Sequence, residues 1–81
     1  MDESLFKTDK ELNIIDCREL EHPEPMERVL EAVETLDGNK AILMVHRREP
    51  FPLYQILEER NCSHETKTAE DGTVQVLIWK T

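Results

Sequence analysis

Basic residues are scarce in this chain: ten Lys and Arg stand against eighteen Asp and Glu, for a formal charge of -8. Such a surface repels a phosphate backbone, so nucleic acid is excluded as an expected partner. Long apolar runs are missing too, and none approaches the roughly 20 residues that a membrane span needs. The start, Met1-Asp2-Glu3-Ser4, is acidic with no apolar core behind it, so no signal peptide is expected. The expected compartment is the cytoplasm. Cysteine is limited to Cys17 and Cys62, with no CxxC spacing to support a metal site. Two thiols in a small cytosolic domain are expected free and reduced. The three histidines, His22, His46 and His64, show no H-x-x-x-H pattern, so local spacing supports no zinc site. There is no internal repeat and no low-complexity segment. No cofactor is predicted.

The 81 residues that remain suffice for one small domain. Residues 1–11 are polar apart from Leu5-Phe6 and read as a flexible N-terminal tail, with Phe6 as its one anchor. The domain then spans residues 12–81. Leu12 to Cys17 is short, apolar and β-branched, a first strand. Pro23 and Pro25 suit the first turn of a helix, where a missing N–H is no loss. Met26, Val29, Leu30, Val33 and Leu36 follow at helical spacing, and Gly38 suits a left-handed residue beyond the helix end. Lys40 to His46 is nearly continuous apolar sequence, a central strand. Two prolines make Arg47 to Pro52 a loop, after which Leu53, Ile56 and Leu57 mark a second helix, with Asn61 suited to end it. Asp71-Gly72 is a hairpin turn between strands Ser63–Ala69 and Thr73–Trp79.

The order βαβαββ predicts an α/β (α+β) two-layer sandwich: a four-stranded mixed sheet with two helices on one face. Alternation sends Val74, Val76 and Ile78 to one face of the last strand and Gln75, Leu77 and Trp79 to the other. Both faces are apolar. The face bearing Leu77 and Trp79 is therefore open to cover by an N-terminal segment or a tilted loop, to leaving a few apolar residues exposed, or to serving as a homodimer or partner interface.

The residues that carry chemistry fall in two stretches. His22-Pro23-Glu24-Pro25 places an imidazole at a helix start. An imidazole can accept a proton, donate one hydrogen bond or bind a metal, and it can equally just pack there. Glu24 is accounted for by the helix dipole. Arg47-Arg48-Glu49 is the second stretch. The two arginines are the only adjacent basic pair and could bind an anion or a carboxylate-bearing partner, or pair with Glu49. His22 and His46 are the candidate metal ligands, though weak ones. Cys17 and Cys62 are candidate thiol nucleophiles, each more readily explained as a small buried residue.

The chain resembles the TusA/SirA-like family of small sulfur-carrier proteins. The resemblance runs from Leu12 to Trp79 and rests on several elements. These are Asp16 after the first strand, Leu20, Pro23-Glu24-Pro25 opening a helix, the Gly38 turn, and the Glu49-Pro50 loop before a second helix. In that family a Cys precedes Pro-x-Pro and carries a persulfide; here the position is His22. Imidazole cannot carry sulfane sulfur, so sulfur transfer does not carry over to it. Pro23-Glu24-Pro25-Met26 and the run Arg48 to Leu53, followed by Leu57-Glu58-Glu59-Arg60, suggest a distinct prokaryotic branch. The resemblance implies a domain that binds a protein or ligand near His22, Pro23, Glu24, Pro25, Arg47, Arg48 and Glu49 rather than an enzyme. A sulfur or redox relay through Cys17 or Cys62, and a metal-linked accessory role through His22, stand as alternatives.

Overall fold

A computed structural model describes Phe6 and residues 8–81. The elements are β1 (Glu11–Asp16), α1 (Glu24–Val33), β2 (Lys40–His46), α2 (Phe51–Glu59), β3 (Cys62–Thr68) and β4 (Val74–Lys80). They form one four-stranded sheet of order β1-β2-β4-β3, with β1 parallel to β2 and the other pairings antiparallel. This is the expected βαβαββ two-layer fold.

Both helices pack on one face of that sheet. Val29 and Val33 from α1 and Leu53 and Leu57 from α2 meet Ile42, Met44, Val74, Val76 and Ile78 in one buried cluster. Alternation fixes that membership, since each of these strand residues is two positions from the next. On the reverse face Ala41, Leu43 and Leu77 form a second, smaller cluster, closed by Phe6. Phe6 is 6% exposed, and the ammonium of Lys67 lies 4.8 Å from its ring centre. The face bearing Leu77 and Trp79 is thus covered at its centre by Phe6. Phe6 is anchored as expected, and the expected tail is corrected at Glu11, which opens β1. The rest of that expectation, over residues 1–5 and 7, lies outside the described residues.

Local chemistry overturns two further expectations. Gly38 does not adopt a left-handed conformation; the positive φ values belong to Asn61 (φ 60) and Gly72 (φ 91). Helix α1 ends at Val33, and the chain leaves through tight turns in which Glu34, Thr35 and Leu36 bond back three residues. Asp37 then makes the stop, its carboxylate accepting the Asn39 N–H at 2.8 Å, so no left-handed residue is needed. Asn61, by contrast, ends α2 as expected. Helix α2 also begins at Phe51 rather than Leu53. Pro50 is its cap and Pro52 lies in its first turn, where proline removes no helical hydrogen bond.

Candidate functional site

Because β1 and β2 are parallel neighbours, their C-terminal ends lie at the same edge of the sheet. The segment leaving β1 leads to His22 and α1; the segment leaving β2 leads through Arg47 and Arg48 to α2. Cys17 N–H donates to the Val45 carbonyl at 2.7 Å and locks the two exits together. Between them lies a cleft of about 480 Å³ lined by both segments. Such a volume is typical of small-ligand sites. His22, Pro25, Arg47, Arg48 and Glu49 line it, as does His46.

Pro23 and Glu24 do not line this cleft. Glu24 sits on the outer side of α1, where it accepts from Arg28 at 3.0 Å and borders a separate shallow groove. It thereby serves the helix start and an i,i+4 pair. Sequence reasoning missed the floor of the cleft, to which Met26, Met44 and Leu53 contribute. Met44 and Leu53 are buried and also belong to the main core.

The α1 start offers few donors. Pro23 and Pro25 have no N–H, and the Glu24 N–H is spent on the Glu21 carbonyl at 2.9 Å. No side chain caps the helix, so His22, which is exposed, does not act as its cap. Charge in the cleft comes instead from Arg47 and Arg48. Among the described residues ion pairs join Arg18 to Asp16 and Arg28 to Glu24, and neither Arg47 nor Arg48 is in one. Asp16 is held below the usual carboxylate range by the Arg18 side-chain hydrogen bond.

Glu49, the local acid that could have paired with them, is engaged elsewhere. The Tyr54 hydroxyl donates to it at 2.9 Å. That hydroxyl also lies 2.6 Å from Thr66 Oγ1. Tyr54 has a single proton to give, so Thr66 is the donor in the second bond. The Tyr54 ring stacks on His64, centroids 4.2 Å apart, which fixes the cleft's α2 side against β3. Burial pushes the Tyr54 hydroxyl up from its ordinary value of 10.0.

His46 is half-buried at the cleft end of β2. Its Nδ1 accepts the Arg47 N–H at 2.8 Å, so the neutral ring carries its proton on Nε2. Burial, then Arg48 and Arg47, push its pKa below the ordinary 6.5.

The thiols lie in a different setting. Cys17 is fully buried and Cys62 is 4% exposed, and both are free. Each points its S–H at a backbone carbonyl, Cys17 at Ile15 and Cys62 at Arg60. Burial raises both pKa values above the ordinary 9.0, with Asp16 adding to the effect at Cys17. A reactive thiol needs access and a stabilised thiolate, and these two have neither. For metal, no three His, Cys, Asp or Glu side chains converge among the described residues, although His22 and His46 share the cleft.

A family model described as Uncharacterized conserved protein (DUF2249) matches residues 14–80. The chain belongs to that family. No curated protein and no solved structure matches it significantly.

Proposed function

We propose that this DUF2249 member is a small TusA-like binding module of the prokaryotic cytoplasm, non-catalytic, which holds a ligand or protein partner in the cleft between the α1 start and the β2–α2 loop. The observation that carries this reading is the convergence there of two sequence stretches, residues 20–26 and 46–53, on one concave surface. Apolar side chains line its floor and uncommitted guanidinium groups its rim, the composition expected of a binding site. Among the described residues no helix is long and apolar enough to cross a membrane. The likeness to TusA/SirA-like proteins supports a shared architecture, with His22 standing in the position of the persulfide Cys.

A fragment screen read by amide chemical shifts tests the reading. Hits are expected to move Met26, Met44, His46 and Leu53 together; shifts scattered over the surface would overturn it. Affinity capture from the native host complements the screen. His22→Ala is expected to weaken retention of a partner, and a partner held equally by wild type and variant would place the contact elsewhere. Incubation with a cysteine desulfurase is expected to add no sulfur to Cys17 or Cys62 by intact mass, given their burial. Added sulfur would restore the relay reading.

A further inference from the structure

The balance of charge around the cleft narrows the class of ligand. Two fixed positive charges, Arg47 and Arg48, face two acids, Glu21 and Glu49, and the imidazoles of His22 and His46 complete the polar rim. Glu49 is already hydrogen-bonded to Tyr54. The two guanidinium groups are in no ion pair among the described residues. The formal sum over these four charged groups is zero, so the field offers an anion little net attraction, while the cost of stripping its water rises with the square of its charge and weighs most on a dianion. A monoanion that meets the arginines while keeping clear of Glu21 gains more. Beneath the rim, Met26, Met44, Leu53 and Pro25 form an apolar floor. A hydrated inorganic ion would gain nothing from that floor, whereas a ligand with an apolar body would.

His46 adds a second property. Its Nδ1 is occupied by the Arg47 N–H, so Nε2 is the nitrogen that carries the ring proton. The charged groups facing it are Arg47, Arg48 and Glu49 from the loop before α2 and Glu21 from the segment before α1, with His22 as the other titratable ring. From α1, α2 and β4 come apolar groups: Pro25 and Met26, Pro52 and Leu53, and Val74, its register partner; β1, the other strand beside β2, ends at Asp16, which lies opposite Val45 and is paired with Arg18. Burial first, and Arg48 and Arg47 second, suppress a positive charge on this ring. A bound anion cancels part of their field and makes that charge acceptable.

We infer, on the footing that the cleft is the binding site, that it takes a singly charged organic anion of the carboxylate class, with its charge against Arg47 and Arg48 and its apolar body on Met26, Met44 and Leu53, and that binding draws a proton onto His46. Protonation costs the ring the Arg47 N–H bond at Nδ1 and gives it two N–H donors, one of which can serve the carboxylate. No covalent step is involved, and the proton comes from solvent buffer.

Calorimetric titration of the full chain tests this with three probes of equal chain length: hexanoate, hexyl phosphate and hexanol. Hexanoate is expected to bind at least tenfold tighter than either of the others, and the double variant Arg47→Ala/Arg48→Ala to lose about tenfold or more of that affinity. Both arginines are exposed, so the variant keeps its fold. Repeating the titration near pH 6.5 in buffers of different ionisation enthalpy measures protons taken up. Net uptake is expected for wild type and none for His46→Gln. Equal affinity for hexanol would overturn the anion inference, and tighter binding of hexyl phosphate would overturn its restriction to monoanions. Uptake that survives His46→Gln would overturn the role of His46. If all three probes fail while screened fragments still bind the cleft, the ligand class is wrong and the module reading stands. If fragments fail as well, both fall.

Discussion

The two faces of the sheet are closed by different means. On one, two helices bring Val29, Val33, Leu53 and Leu57 onto five strand residues. On the other, Phe6 is the buried residue that closes a cluster of Ala41, Leu43 and Leu77, and Leu12, Val45 and Trp79 pack around it half-buried. Ile14, on the same β1 face as Leu12, stays 58% exposed. A chain this small cannot supply two full layers of cover. It places the thick cover where two connections must lie anyway, over the parallel β1–β2 pair and the β2-to-β3 crossing, and closes the rest with one aromatic side chain. The cleft belongs to the helix face, so the proposed binding site rests on the better-packed half of the molecule.

Deleting cover on each side should expose that difference. Leu57 is fully buried beneath α2, and Leu57→Ala is expected to cost about 2–5 kcal/mol in denaturant unfolding, because the surrounding helices and strands cannot collapse into the gap. Phe6→Ala is expected to cost less, about 1–2 kcal/mol, since the freed segment regains entropy and water can reach the site without leaving a sealed cavity. Its second consequence concerns association. With Leu43 and Leu77 uncovered, the variant is expected to self-associate with rising concentration in sedimentation velocity while the wild type does so less. Equal losses for the two variants would mean that the Phe6 side is as tightly packed as the helix side.

How much of this was legible in the residues differs element by element. The continuous run Lys40–His46, the Asp71-Gly72 turn and the Asn61 helix end each carry a local physical signal, and each behaves as that signal predicts. Phe6 lies in a polar stretch with no periodicity around it, so its burial could only be raised as an option. The start of α2 was misplaced because two prolines look like a break unless one of them caps and the other enters the first turn. Gly38 misled because Asp37 supplies the turn by its side chain. The cleft is a matter of topology. His22 and His46 are far apart in sequence, but a β-α-β unit with parallel strands puts both strand exits at one sheet edge, and that signal was available in the predicted order. Tyr54 and the floor residues were missed because a tyrosine or methionine on a helix or strand reads first as core.

A third variant tests how the cleft end of the helix face is held. There the attachment is polar: Tyr54 links Glu49 of the loop to Thr66 of β3. Tyr54→Phe is expected to cost about 1 kcal/mol, because water can reach the two partners it leaves behind. It should also raise amide exchange in residues 47–50 more than in the middle of β2. Exchange that rises equally along β2 would mean that the loop is held by apolar packing of α2 and not by the tyrosine.

The smallest expected effect is the most specific to the cleft. The folded-state pKa of His46 lies below its ordinary 6.5, through burial first and the two arginines second. The unfolded chain therefore binds a proton more readily, and stability from this group is present in full above pH 6.5 and declines as pH falls through the lower folded value. His46→Gln removes the titration while keeping a polar side chain. In paired unfolding curves between pH 7.5 and 5, the wild type is expected to lose ground relative to the variant as the medium becomes acid, with Phe6→Ala showing the wild-type slope because it alters only the opposite face. A bound carboxylate should shrink the difference by making the imidazolium acceptable in the folded state. If the wild type instead gains on the variant at low pH, the ring prefers to be charged in the folded protein, and the arginines must face away from it.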